Sequence, residues 1–289
     1  MKDTICFFVS DLHGHLDRYQ KLFNAIEQEQ PDAVFLGGDL LPSGLLHLVS
    51  ARGGYRDFIA DVLHPGFTRL REQLGKRYPP IFLILGNDDG KFEETTMLDL
   101  AAQGLWHYAH NGRFDLGDFR VFGYAYIPPT PFALKDWEQY DVSRFVDPGC
   151  SSPEEGYYSV PVLEDEKRWA TIQEDLERLT THEHLEKAIF LFHAPPYHTN
   201  LDRAGLDGKM FDAAPLDVHV GSVAIRRFIE TRQPYLTLHG HVHESALITG
   251  AWKDKIGNTC CFSAAHHGKE LALVRFDPEH PENAMRELI

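Results

Sequence analysis

Residues 5–19 read ICFFVSDLHGHLDRY, and the rest of the chain is read outward from them. Five consecutive apolar residues, 5–9, stop at Ser10 and Asp11, the pattern of a buried strand with polar residues at its carboxyl end. The spacing of Leu16, Tyr19, Phe23 and Ile26 has the helical period and predicts an amphipathic helix. The connecting loop carries Asp11, His13 and His15. Three such groups facing one way titrate, bind something cationic, or are merely solvated.

Four later stretches repeat the event. AVFLGGD (33–39) ends at Asp39, PIFLILGNDD (80–89) at Asn87, Asp88 and Asp89, AIFLFHAPP (188–196) carries His193, and YLTLHGHVH (235–243) ends at His239, His241 and His243. Helical patterns lie between them, among them a Trp169, Ile172, Leu176, Leu179 stripe and residues 223–229, for which Ser222 is a suitable N-cap. Strands alternating with helices predict an α/β sheet, whose sites form in the crevice beyond the carboxyl ends of strands. One Asp or His at a strand end is ordinary turn chemistry. Five such ends in one chain predict a common site.

The chain has 289 residues, 43% of them apolar, which is ample for a sizeable core; we expect a single domain over 1–289. Its formal charge of −15 repels nucleic-acid backbones and anionic membranes, so stable binding to either is not expected, and an anionic substrate needs local positive charge. No apolar run approaches the ~20 residues of a membrane span, and the expectation is a cytoplasmic protein. Cys6, Cys150, Cys260 and Cys261 show no C-x-x-C spacing and are expected reduced and structural. The segment GLDGKM (205–210) lacks the glycine spacing of a phosphate loop.

In chain order the residues spell D-x-H (Asp11, His13), G-D (Gly38, Asp39), G-N-x-D (Gly86, Asn87, Asp89), a strand-end His193, and G-H-x-H (Gly240, His241, His243). This order resembles the calcineurin-like metallophosphoesterase superfamily, and HAPPYHTNLD with GHVHES is similar to its stand-alone bacterial and archaeal members. The resemblance implies a four-layer α/β/β/α sandwich of two mixed β-sheets. It implies that Asp11, His13 and His243 bind one metal, that Asn87, His193 and His241 bind the other, and that Asp39 bridges them. Nitrogen and oxygen donors without a thiolate suit two divalent ions such as Mn²⁺, Fe or Zn²⁺. The implied activity is hydrolysis of a small phosphodiester or phosphomonoester by metal-bound hydroxide.

Asp88 departs from the pattern, for it stands where the family usually has a histidine thought to assist the leaving group. A carboxylate beside two dications makes a poor proton donor. His15 is the nearest substitute, and Asp89 is expected to orient a neighbour or cap the turn. The alternative reading, a non-hydrolytic metal-binding interaction module on the same fold, draws on Asp88 alone.

Six of the 17 prolines fall between Tyr124 and Pro161, interleaved with Trp137, Tyr140, Tyr157 and Tyr158, so an ordered insertion is expected around residues 125–165 as a wall of the substrate pocket. A second irregular stretch, 40–57, offers Arg52 as a phosphate partner.

Overall fold

A computed structural model describes residues 4–45 and 57–289; the sequence reading of Arg52 lies outside the described residues. The opening stretch folds as β1 (Cys6–Val9), wholly buried, and α1 (Leu16–Glu29). Tyr19, Phe23 and Ile26 are buried, but Leu16 is 56% exposed because it opens the first turn between His15 and Asp17, which are exposed as well. The chain continues through β2 (Ala33–Gly37), a π-helical turn (Ile59–Leu63), α2 (His64–Leu74), β3 (Ile81–Ile84), α3 (Glu94–Ala102), β4 (His107–Tyr108), β5 (Arg113–Leu116) and β6 (Phe119–Tyr124). Then come α4 (Glu164–Trp169), α5 (Ile172–Leu179), β7 (Ala188–Phe192), a hairpin of β8 (Met210–Phe211) and β9 (Ala214–Pro215), α6 (Val223–Arg232) and β10 (Leu236–His239). Last are α7 (Ser245–Thr249), β11 (Lys253–Ile256), β12 (Thr259–Ser263), β13 (Ala272–Phe276) and β14 (Met285–Leu288).

Two six-stranded sheets result, in the orders β14-β13-β1-β2-β3-β4 and β11-β12-β10-β7-β6-β5. Both are mixed: β1, β2, β3 and β4 run parallel, β13 is antiparallel to β1 and β14 antiparallel to β13, and β12, β10, β7 and β6 run parallel with β11 and β5 antiparallel. The sheets pack face to face through Phe276 against Phe262 and Phe82 against Phe114. Outside the first sheet, Phe23 of α1 meets Phe67 of α2 edge to face; outside the second, Phe228 of α6 packs on Phe190 of β7. These are the four expected layers, and one apolar cluster runs through them from Cys6 to Ala284. The four cysteines are free, with Cys6 and Cys261 buried in strands.

Two helix readings separate here. Ser222 does cap α6, its hydroxyl accepting from the Ile225 amide at 3.0 Å. The continuous stripe from Trp169 to Leu179 does not form: Ala170 and Thr171 are extended, and Thr171 caps a new helix by accepting from the Glu174 amide at 3.2 Å. Trp169, 57% exposed, carries the Arg144 guanidinium 4.8 Å over its ring instead of facing the core.

Residues 125–165 are mostly irregular, and a buried ion pair organises them. Lys135 Nζ lies 2.6 Å from Glu138 Oε2 with both side chains fully buried, and Thr130 supplies both partners, its amide donating to Glu138 and its carbonyl accepting from Lys135. Asp136 accepts from the amides of Lys91 and Ser159. Trp137 is fully buried against His110 and Tyr126.

Candidate metal centre

Because β1, β2 and β3 are parallel, the loops carrying Asp11 and His13, Asp39, and Asn87 to Asp89 leave the same edge of the first sheet. The parallel pair β7 and β10 does the same for His193, His241 and His243 in the second sheet. The loops are stitched together. The amides of Asp11, His13 and Gly14 donate to the carbonyls of Gly38, Asp39 and Leu40 at 2.9, 2.8 and 3.0 Å. The Gly240 amide donates to the His193 carbonyl at 2.9 Å, and the His241 amide to Asp11 Oδ1 at 3.0 Å, which ties one sheet to the other.

Close approach explains the motif glycines. A Cβ on Gly38, whose φ is +93°, would stand 2.6 Å from His193 Nδ1, and one on Gly86 would stand 2.4 Å from the Asp39 amide nitrogen. Asp11, His13, Asp39 and His241 are themselves left-handed, with φ of 57°, 47°, 51° and 72°. Such backbone costs of order 1–3 kcal/mol per residue and persists where the surroundings over-determine it, typically at functional sites.

Six side chains meet there in two groups that share Asp39, and Asn87 stands beside the second as a seventh. Asp11, His13, Asp39 and His243 each offer a donor atom within 4.8 Å of the others, and so do Asp39, His193 and His241. In the first group His243 Nε2 lies 3.1 Å from both His13 Nε2 and Asp11 Oδ1, while Ser10 Oγ donates to the other Asp11 oxygen. In the second, His193 Nδ1 donates to the Gly37 carbonyl at 2.8 Å, which turns Nε2 toward Asn87 Oδ1 at 3.0 Å and Asp39 Oδ2 at 3.3 Å. The Nε2 lone pair of a neutral ring and two oxygens that cannot donate thus converge; a proton on Nε2 or a metal ion satisfies all three.

The charges agree with that reading. Burial opposes ionisation of Asp39, but the His193 charge and contact outweigh it and hold the carboxyl well below the usual range. Asp11 is lowered to about 2, burial being outweighed by the His243 hydrogen bond and charge. His13 is raised to about 9 against burial, by its Asp88 contact and then by the charges of Asp39 and Asp11. His193 is raised to about 9 against burial by Asp39. His241 goes the other way: burial, helped by the His193 charge, pushes it down to about 3 and leaves it neutral. Ionised carboxylates among imidazoles that hold protons in their field are a donor set a divalent ion fits, displacing those protons. No thiol belongs to either group, so the donor set is one of nitrogen and oxygen, which suits a divalent ion that is not soft.

Asp88 and Asp89 take different places. Asp88 Oδ2 lies 3.3 Å from His13 Nδ1 and its Oδ1 accepts from Ser43 at 2.6 Å, so it is positioned to orient the His13 ring. Asp89 is fully buried and accepts from the amides of Leu40, Leu41 and Gly86 at 3.1, 2.7 and 2.9 Å, locking the Asp39 loop to its own turn. Burial and the Asp39 charge lift its carboxyl to about 7. His15 is exposed at the N-cap of α1, with no side-chain cap bond, and belongs to neither donor group. His239 is a satisfied core histidine, its ring bonded to the Ala194 carbonyl and Thr237 Oγ1 at 2.8 Å each.

His13, Asp39, Asn87, Asp88, His241 and His243 line a cavity of about 910 Å³ whose walls come from the 128–150 part of the insertion and from residues 197–223. Sequence reading missed two groups here. His219 lines the cavity, and its Nδ1 lies 2.8 Å from Oδ1 of the fully buried Asp202, which also accepts from the amides of His198, Thr199 and Gly221. Arg18, buried in α1, donates to the Asp11 carbonyl at 2.6 Å. Neither falls at a strand end, and helical spacing marks Arg18 only as a solvent-facing cation.

The sequence profile of the calcineurin-like phosphoesterase family matches residues 6–245, which contain all seven side chains. A stretch of 76 residues, 25% of the chain, is 45% identical to the uncharacterized protein MJ1162 of Methanocaldococcus jannaschii, and the match spans 29% of that protein's length. Two solved structures are alike in fold. TT1561 of Thermus thermophilus superposes with a TM-score of 0.53 at 16% identity over 99% of each chain. A dimetal phosphatase from Danio rerio superposes with a TM-score of 0.52 at 10% identity, over 94% of this chain and 91% of its own. With five motif loops meeting at one sandwich edge and the family profile spanning them, the chain belongs to the calcineurin-like phosphoesterase family.

Proposed function

We propose that the chain is a two-metal phosphoester hydrolase acting on a small phosphomonoester or phosphodiester, with residues 1–289 working as one unit and the 125–165 insertion as a wall of its pocket. The observation that carries this is the pair of donor groups sharing Asp39 at the floor of the cavity. Asp11, His13 and His243 would hold one ion, Asn87, His193 and His241 the other, and Asp39 both. Held by these residues, two divalent ions would supply Lewis acidity toward water and the phosphoryl oxygens, and with it the local positive charge that an anionic substrate needs in a chain of net charge −15.

The chain's own residues do the rest. Asp39 keeps the two groups in register, Asp88 orients His13, Gly37 fixes the His193 tautomer through its carbonyl, and Asp89 with Arg18 holds the loops that present the donors. For the proton that the leaving oxygen needs, His219 is the imidazole on the cavity wall outside both donor groups, and Asp202 holds its Nδ1. The test is metal titration of the full chain with elemental analysis and a p-nitrophenyl phosphoester assay. About two equivalents of Mn²⁺ with metal-dependent turnover are expected, and no bound metal would refute the reading.

A further inference from the structure

We propose that the cavity above the donor groups receives the organic part of a phosphoester that is bulky and apolar and bears no negative charge of its own. This rests on the phosphoesterase reading for the placement of the phosphoryl group, and on the walls for the rest. Phe132, Leu134, Val142, Phe145, Leu206 and Leu216 line the cavity from the insertion and the 204–223 segment. The two walls touch, since a Cβ on Gly149 would stand 3.3 Å from Leu216 Cδ2. Phe132 is 54% and Phe145 69% exposed, so large apolar side chains face solvent on a concave wall that continues to the donor groups. Concave apolar lining beside a few convergent polar groups is how small-molecule sites are built.

Among the described residues of the walls, those of the Asp, Glu, Lys and Arg types are of one sign. Above Asp39 and Asp88, the lining includes Asp141, Asp147, Asp217 and Glu244, and no Lys or Arg is among its described residues. Asp141 is bonded to Ser222 Oγ and the Val223 amide at the start of α6, Asp217 to the Tyr197 hydroxyl, and Glu244 to the Gly205 amide. Asp147 is raised by burial and then by the charge of Asp217, whereas Asp217, against burial, is held low by the His219 amide and the Tyr197 hydroxyl, so a cation beside Asp147 would offset the repulsion there. A second phosphate or a carboxylate on the substrate would meet these acids, whereas an alkyl, aryl or amine-bearing group meets apolar surface or favourable charge.

The experiment is calorimetric binding of methyl-, butyl- and octylphosphonate to the Mn²⁺-loaded full chain, with octyl chains ending in a carboxylate or a trimethylammonium. Matching p-nitrophenyl alkyl phosphates are assayed in parallel. Affinity is expected to rise about three- to fourfold per methylene until the cavity is filled. The trimethylammonium chain should bind at least about tenfold more tightly than the carboxylate, an electrostatic difference on the order of one pKa unit. Phe145→Ser and Leu216→Ser should flatten the chain-length dependence, leave methylphosphonate binding unchanged and keep the melting temperature. Octyltrimethylammonium, which has no group for the metals, should bind the metal-free chain and weaken in Leu216→Ser. Affinity independent of chain length, a carboxylate-ended chain that binds most tightly, or wild-type chain-length dependence in both variants would each overturn the proposal. Chain-length-dependent binding without hydrolysis under Mn²⁺, Fe²⁺ or Zn²⁺ would refute the hydrolase reading and leave the cavity proposal standing; hydrolysis without chain-length dependence would do the reverse.

Discussion

Asp88 Oδ2 lies 3.3 Å from His13 Nδ1, so the residue that stands where the family usually has a histidine is turned toward an imidazole of the first donor group. Outer carboxylates that orient a ligating imidazole are typically worth about 10- to 100-fold in metal affinity. Asp88→Asn is therefore expected to weaken binding of one of two Mn²⁺ ions by about that factor, while the ratio of aryl to alkyl ester rates at saturating metal stays as in the wild type. Metal titration beside a two-substrate assay checks it; unchanged affinity with a shifted ratio would make Asp88 a proton donor.

Asp39 and His15 should behave oppositely. Asp39→Asn removes the charge common to both donor groups, and bound metal should fall from about two equivalents to below one. His15→Ala deletes an exposed ring with no cap bond, and both metal content and stability, the latter within about 0.5 kcal/mol, should be retained. Elemental analysis and denaturant titration of the two variants decide this.

His219→Gln tests the proton donor. General-acid help is worth about 10²- to 10⁴-fold, so alkyl esters should slow by that order while p-nitrophenyl esters, whose leaving group needs no proton, change little. Equal slowing of both ester classes would assign His219 to binding.

His110 predicts acid sensitivity of the metal-free chain. Its half-buried ring packs between Tyr124, Tyr126 and Trp137, Nδ1 accepts from the Ala125 amide, and desolvation followed by the Lys91 charge pushes it down to about 3. With the folded value below the unfolded one near 6.5, the contribution to stability is complete above about pH 6.5 and is lost as pH falls toward about 3. The loss approaches the order of 4 kcal/mol. Melting temperatures between pH 7 and 4 should therefore fall less steeply for His110→Asn than for the wild type.

The Lys135–Glu138 pair should prove costly to break and cheap to replace. Lys135→Met leaves a buried carboxylate without its cation, and a loss of about 3–5 kcal/mol is expected, against little net change for Lys135→Met combined with Glu138→Leu. Burial raises Glu138 to about 7 even with Lys135 present, so the single variant should recover as pH falls and the carboxyl takes a proton. Urea denaturation at pH 5 and 8 separates the two variants.

Local pattern alone was sufficient for the strands β1, β2, β3, β7 and β10, because a run of apolar residues that ends in Asp, Asn or His is satisfied by burying the run between layers and giving its polar end partners in the crevice beyond the sheet. Parallel pairing then brings those ends to one edge, which is why Asp11, His13, Asp39, Asn87, His193, His241 and His243 could be named from sequence and their order matched to a family. What depends on distant partners was not legible. Trp169 has the spacing of the α5 stripe but leaves it, since Thr171 caps a new helix and Arg144, 25 residues earlier, covers the indole. Lys135 and Glu138 read as ordinary surface charges until the insertion folds over them. His219 becomes an oriented imidazole only because the chain turns back to set it on Asp202, and Asp88 an orienting group only because the 11–14 loop is bonded to the 38–40 loop beside it. Periodicity records how a residue relates to its own element, while these roles are relations between elements, and tertiary packing decided them.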